Sequence, residues 1–198
     1  MLQRIQTLYL LVFIVISASL LGGIHILEFA AEGSYIKEKI SLHVNTTQIE
    51  LEGNLAIPAS ELETIGNKIK ASTPIAFDSK TQTLSYSRFS PLLIFQGILV
   101  LLGLVVMFSF KNLKRQLNLA RLLFFLTLLY VALHMFLAYF ALNYARPFIE
   151  ELPLDDLQVS RITQLGFYLV CALLPFSYLA QLGIKRDYSL IKSLDRLR

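Results

Sequence analysis

KNLKRQLNLAR, Lys111 to Arg121, carries Lys111, Lys114, Arg115 and Arg121 and no acid. Charge-free apolar runs flank it, Pro91 to Phe110 upstream and Leu122 to Ala145 downstream. Each run is about 20 residues or longer, the length at which an α-helix crosses the hydrocarbon core of a bilayer. Short basic connectors between such runs are retained on the cytoplasmic side. The stretch therefore reads as a cytoplasmic loop and orients the segments on either side of it.

Composition agrees. The chain has 198 residues, 55% of them hydrophobic and 16% charged, with a mean hydropathy of +0.59. A soluble domain is about 45–50% apolar and about 25% charged. The predicted cytoplasmic pieces hold ten of the 18 Lys/Arg but only Asp187 and Asp195 of the 14 Asp/Glu. Topology thus accounts for the net charge of +4, and no nucleic-acid partner is expected. Cys171 is the single cysteine, which excludes an intrachain disulfide and a cysteine-based metal centre.

Two further runs complete a set of four spans. Thr7 to Leu27 is free of charge between Arg4 and Glu28. A central charge would cost about 2.5–3.5 kcal/mol on insertion, and none is present. Cleavage after Ala30 or Ala31 would place Glu28 or Phe29 where a signal peptidase needs a small residue, so an uncleaved anchor is expected. The last span, Ile162 to Ile184, has Pro175 in its middle, which predicts a bend where the Cys171 carbonyl loses its donor. Residues 185–198 form a tail with Leu190, Ile191, Leu194 and Leu197 on one stripe, read as an amphipathic helix at the cytoplasmic interface.

The predicted fold is all-α transmembrane: a four-helix up-down bundle, spans near 7–27, 91–110, 122–145 and 162–184, both termini cytoplasmic. A small external α+β insertion fills residues 28–90. Within it ISLHV (Ile40–Val44) and QIEL (Gln48–Leu51) alternate as strands do. Ser60 and Glu63 form a capping box for a helix over 61–70. Ile75–Phe77 and TLSYS (Thr83–Ser87) predict a hairpin around Asp78–Gln82. Residues 146–161 read as a short acidic external loop.

Three stretches resemble one family. The opening MLQRIQTLYLL, the segment FKNLKRQLNLARL (Phe110 to Leu122) and the ending IKRDYSLIKSLDRLR (Ile184 to Arg198) are similar to the Bacteroidota family known as domain of unknown function 4293. Its members typically begin close to MIQRIQT, carry a loop close to FKNRKLQ and end close to KDEALVRSADRLR. Gln3 to Thr7, Lys111, Asn112, Asp187, Ser193 and Asp195 to Arg198 match; Leu113, Lys114 and Arg115 depart from the usual order. The resemblance implies four membrane helices in a bacterial inner membrane. It implies no activity.

Candidate chemistry is sparse. His25 and His134 lie within apolar runs, but at 1.5 Å per residue they sit about 11 Å and about 3 Å from the midpoints of their predicted helices. Axial ligands of one haem need nearly equal depth, so bis-histidine haem ligation is not expected, and His134 is read as bonded to Tyr130 or Gln164. No acid or base lies deep in a span, which argues against a pump or coupled transporter. Ser17, Ser19, Gln96, Thr127, Ser177 and Gln181 are read as interhelical hydrogen-bonding groups. Ala18 with Gly22, and Ser19 with Gly23, are spaced for close helix approach.

No catalytic residue, cofactor or metal ligand is assigned. Beyond the lipid bilayer, a membrane or cytoplasmic protein is the expected kind of partner. The candidate docking residues are Lys111, Lys114, Arg115, Arg121, Asp187, Asp195, Arg196 and Arg198, the acids of the tail being placed to pair with the basic connector. The same basic groups also answer to topology alone or to anionic lipid. The leading expectation is a non-enzymatic structural or interaction subunit. The alternative is a small-molecule or lipid-handling membrane protein with a pocket near His134, Tyr139 and Asn143.

Overall fold

The computed structural model describes residues 3–32, 36, 40–45, 48–60, 63–64, 67, 76–89, 92–150 and 158–195. In chain order its main elements are α1 (Gln3–Leu20), β1 (His25–Glu32), β2 (Ile40–Asn45), β3 (Gln48–Asn54), β4 (Ala76–Asp78), β5 (Thr83–Phe89), α2 (Leu92–Phe108), a 3-10 turn (Ser109–Lys111), α3 (Leu113–Glu150), β6 (Gln158–Thr163) and α4 (Leu165–Asp195). They fall into two compact units. One comprises Met1–Ile24, Pro91–His134 and Tyr168–Arg198; the other comprises His25–Ser90 and Met135–Phe167.

The first unit is helical. Leu92–Lys111, Leu113–Phe136 and Leu165–Ser193 are each long and apolar enough to cross a membrane, and Ile5–Leu20 is a shorter apolar helix. The chain is a membrane protein on that evidence. The predicted first span is not one helix from 7 to 27. α1 starts at Gln3 and stops at Leu20, where Leu21, Gly22 and Gly23 donate in turn to the carbonyls of Ala18, Ser19 and Leu20. Gly23 takes a φ of 77°, a left-handed conformation that glycine adopts without strain and that ends helices. The remaining apolar residues, from His25 on, are a strand.

Glycines do permit close approach within this unit, but of the two pairs read from the sequence Gly22 meets only Ser19 O of its own chain segment. A Cβ at Gly103 would lie 3.0 Å from Ile14 Cγ1, and one at Gly183 would lie 2.6 Å from Gln6 Cγ. α1 therefore sits tight against both α2 and α4. Most small polar residues bond within their own helix rather than between helices. Ser19 donates to Ile16 O, Thr127 to Leu123 O and Ser177 to Leu174 O. α4 continues as one helix through Pro175 and on to Asp195, so the tail is its direct extension.

The expected loop over 111–121 is in fact a tight turn followed by helix. Ser109–Lys111 make a single 3-10 turn, and Asn112 is extended at φ −127°, ψ 91°. Its side-chain oxygen accepts from Arg115 N at 3.2 Å and its carbonyl from Gln116 N at 2.9 Å, which caps α3. Asparagine at that position starts the helix at Leu113, nine residues before the predicted start at Leu122. α3 also runs to Glu150, through the start of the predicted 146–161 loop, and α4 begins at Leu165 rather than at Ile162.

The second unit holds a six-stranded antiparallel sheet in the order β4-β5-β3-β2-β1-β6. The expected α+β insertion over 28–90 thus holds a sheet, and that sheet reaches beyond it to His25 and to Gln158–Thr163. The predicted strands at 40–44, 48–51, 75–77 and 83–87 are present with small shifts of their ends. Two strands were not foreseen: β1, cut from the first apolar run, and β6, from the expected acidic loop. β6 pairs with β1 across Leu27↔Thr163 to Glu32↔Gln158. The predicted helix over 61–70 lies for the most part outside the described residues.

The sheet has two unlike faces. Leu27 pairs with Val44, and Ile40, Phe29 and Leu51 stand on the same side; all five are buried. On the other side the row Glu28–His43–Glu50 is half-buried, and Glu52 is exposed. Gly53 lies opposite Ile40, where a Cβ would come within 2.7 Å of Ile40 Cγ1. The hairpin loop is held by Asp78, whose carboxylate accepts from Lys80 N at 3.0 Å and Thr81 Oγ1 at 2.9 Å.

Candidate functional site

The basic turn and the start of α3 form an open groove of about 430 Å³ lined by Asn112, Lys114, Arg115, Asn118, Leu119 and Leu122. Lys111, Lys114, Arg115 and Arg121 are all exposed. The first turn of α3 holds Lys114 and Arg115 and no acid, so the helix dipole and the side chains are of one sign there. Leu119 and Leu122 add apolar lining beside the cations. The arrangement suits an anionic group attached to apolar matter, whether on a lipid or on a protein.

Behind the exposed cations the interior is polar and closed. Gln116 is buried and donates from Nε2 to Val106 O at 3.1 Å, satisfying a carbonyl in the last turn of α2. Gln6 and Asp187 are both buried, and the Gln6 amide donates to the Asp187 carboxylate. Gly183, one turn before Asp187, leaves the room that Gln6 occupies. A carboxylate at 7% exposure is costly unless it is bonded, and the Gln6 amide supplies that bond.

The predicted docking residues thus separate. Lys111, Lys114, Arg115 and Arg121 lie together on the exposed turn and helix start. Asp187 does not join them: it faces inward to Gln6 rather than pairing with Lys114, Arg115 or Arg121. Asp195 is the last residue of α4, with its side chain outside the described residues, as are Arg196 and Arg198 altogether. Of the tail's stripe, Leu190 and Ile191 are exposed at 51% and 45%. The Gln6–Asp187 clasp escaped reading from residue type, although Gln6 and Asp187 both sit in stretches that carry the family resemblance.

A second polar group lies in the helical interior. Gln96 donates from Nε2 to Ser17 O at 2.6 Å and Ser17 Oγ at 2.7 Å, joining α2 to α1. Tyr130 stacks on Phe95 with ring centroids 5.7 Å apart and tilts against His134 at 4.2 Å. His134 Nδ1 bonds the Tyr130 carbonyl at 3.1 Å, so the expected partner is right but the contact is to its backbone. Tyr139 and Asn143 lie along α3 with side chains outside the described residues.

His25 belongs to β1 and packs on His43 of β2, ring centroids 4.8 Å apart. It is a sheet residue, not a helical one. Gln164, expected beside His134, donates instead to Glu28 at 2.7 Å. Among the described residues no group of three His, Cys, Asp or Glu side chains is placed to hold a metal ion. No curated protein matches the chain. The model of one family, described as Domain of unknown function (DUF4293), matches residues 2–197, and the chain belongs to that family.

Proposed function

We propose that this protein is a non-enzymatic integral membrane subunit of a bacterial inner membrane that presents its basic end to a protein partner. In this reading α1 to α4 form an up-down bundle of four spans. Ser17 against Gln96 and Ile14 against Gly103 run α1 antiparallel to α2; Phe95 against Tyr130 and Val106 against Gln116 run α2 antiparallel to α3. α1, at 18 residues and 1.5 Å each, is about 27 Å long, close to the roughly 30 Å of a hydrocarbon core. Both termini then lie in the cytoplasm, with the basic turn and the α4 extension on the same side.

The observation that carries the proposal is the exposed pairing of unlike surfaces at that end. Lys114 and Arg115 line an open groove, while Leu190 and Ile191 extend α4 with an uncovered apolar stripe. Anionic lipid alone would be served by any amphipathic basic helix. An acid at Asp195 works against a purely lipid-binding role.

The test is co-purification from native membranes of the full chain, of Asp195→Lys, and of a chain whose residues 193–198 are shuffled at equal composition. A partner lost from both variants at unchanged membrane level supports the proposal. A partner set unaffected by either change reduces the tail to a nonspecific anchor. Orientation is checked by engineered thiols in a Cys171→Ala background: Ser79 and Asp155 should label from outside, Asn118 and Ser193 only after the membrane is opened. A second reading, a small-molecule site near His134, is favoured by the buried, unpartnered Tyr130 Oη and His134 Nε2.

A further inference from the structure

Among the described residues of the helical unit, four buried polar atoms have no hydrogen-bond partner: Gln96 Oε1, Tyr130 Oη, His134 Nε2 and Gln181 Oε1. Gln96 and Tyr130 are fully buried and His134 is 5% exposed. Tyr130 and His134 lie against each other, ring centroids 4.2 Å apart, and Phe95 stacks on Tyr130, whereas Gln96 turns to Ser17 of α1. In a membrane such groups have no bulk water to turn to, so orphaned atoms there mark a place where something else must bond.

The chemistry of the missing partner follows from the atoms present. A carbonyl oxygen only accepts, so the bond between His134 Nδ1 and Tyr130 O requires the proton on Nδ1. In the neutral ring Nε2 then carries a lone pair and accepts. Gln96 has spent its amide donor on Ser17 and keeps an acceptor, Oε1. Tyr130 Oη both donates and accepts. Tyr130 Oη and His134 Nε2 together want a guest that donates an O–H to the imidazole and accepts a bond from the phenol. A metal ion does not fit, because no further His, Cys, Asp or Glu is grouped here among the described residues. A purely apolar guest would leave every one of the atoms unsatisfied.

We propose that Tyr130 and His134 form an intramembrane binding site for a hydroxyl group that donates to His134 Nε2 and accepts from Tyr130 Oη. The hydroxyl comes either from water or from a lipid-soluble hydroxyl compound such as a phenol or quinol. The site is independent of the docking reading, since it uses none of the basic-end residues.

The experiment uses the full chain in lipid nanodiscs with ¹⁵N-labelled histidine. The three histidines give three pairs of ring-nitrogen signals, and His134→Gln assigns one pair. Probes are decyl-hydroquinone and its dimethyl ether, which keeps the apolar body but has no hydroxyl donor. If the hydroxyl is lipid-borne, hydroquinone shifts the His134 Nε2 signal saturably, the ether does not, and Tyr130→Phe weakens hydroquinone binding about tenfold. Tenfold is about 1.4 kcal/mol, the size of one hydrogen bond. If the hydroxyl is water, Nε2 resonates as a bonded acceptor without any probe, hydroquinone leaves it unchanged, and Tyr130→Phe moves it. Tyr130→Phe keeps the ring on Phe95, so the fold is retained. An Nε2 that resonates as an unbonded acceptor in every arm overturns the proposal. So does equal binding of hydroquinone and ether.

Discussion

The two units of this chain solve opposite solvent problems. In the sheet unit the buried side is apolar, with Leu27, Phe29, Val44 and Leu51, and the open side carries Glu28, His43, Glu50 and Glu52. In the helical unit the exposed surface includes Ile94 at 72% and Phe108 at 68%, while Ser17, Gln96, Thr127, Gln116, Gln6 and Asp187 are inside. A protein in water gains by burying apolar area. A helix in lipid gains nothing from that exchange, so its interior is held by close packing and hydrogen bonds. Polar side chains therefore serve differently in the two units: Gln6, Gln96 and Gln116 tie helices together in one, and Glu28, His43 and Glu50 form a half-buried polar row in the other.

The largest expected effect comes from reversing an exposed residue in each unit. Leu101 sits at the middle of α2 at 64% exposure. Leu101→Lys should oppose insertion by about 3 kcal/mol and lower the membrane-integrated fraction in an insertion assay. Glu52→Lys, on the exposed sheet face, should change stability by less than about 0.5 kcal/mol. Equal tolerance of both substitutions would mean that α2 meets water, and the contrast between the units would collapse.

The next effect tests whether polar ties hold the helical unit. Gln6→Leu leaves Asp187 buried without its amide donor and should cost about 2 kcal/mol in SDS-titrated unfolding. Removing both polar groups in Gln6→Leu/Asp187→Leu should recover much of that loss, since no carboxylate is then stranded. Strictly additive losses in the double variant would show that the two groups are not coupled.

Close approach is used in both units, and it offers a smaller, matched comparison. Gly183→Ala places a Cβ 2.6 Å from Gln6 Cγ, and Gly53→Ala places one 2.7 Å from Ile40 Cγ1. Each should cost about 1–2 kcal/mol through overpacking. A second-site Gln6→Ala should relieve the first less well than Ile40→Ala relieves the second, because it also removes the donor to Asp187. Thermal melting of the four variants checks the order.

The same contrast explains what could be read from the residues alone. Helical backbone bonds are local, so apolar length placed the cores of α2, α3 and α4 well. Strand bonds are not local: β1 pairs with β6, whose Gln158–Thr163 lies some 130 residues further along the chain, and nothing in QVSRIT announces that partner. The start of β1, His25 to Leu27, also looks like the end of a membrane helix, because it continues the apolar run of α1 and hydropathy does not separate the two. At the basic end the cations were legible from charge, and Asn112 as a helix start was available from its residue type. The inward turn of Asp187 was not, because it depends on Gln6 and Gly183 meeting across two helices.

Gln82 gives the smallest effect, and its sign decides between two local forces in the sheet unit. It is the one non-glycine residue with positive φ among the described residues, at 55°. That conformation costs roughly 1 kcal/mol or somewhat more for a side chain with a Cβ. In return its side chain acts as a strand partner for Ile57: Ile57 N donates to Oε1 at 2.9 Å, and Nε2 donates to Ile57 O at 3.2 Å. The Gln82 carbonyl also accepts from Leu55 N at 2.9 Å, a bond that any residue here retains. Gln82→Gly removes the strain and both side-chain bonds. Ile57 is buried, so its freed N–H and C=O lose about 1 kcal/mol each. The expected net is a loss of about 1 kcal/mol, with faster hydrogen exchange at the Ile57 amide and no change at Leu55. Gln82→Asn tolerates the left-handed backbone but is one methylene short of Ile57, so it should lose the bonds with less relief and fall slightly below glycine. A glycine variant more stable than the parent would show that backbone strain, not the amide clamp, dominates this turn.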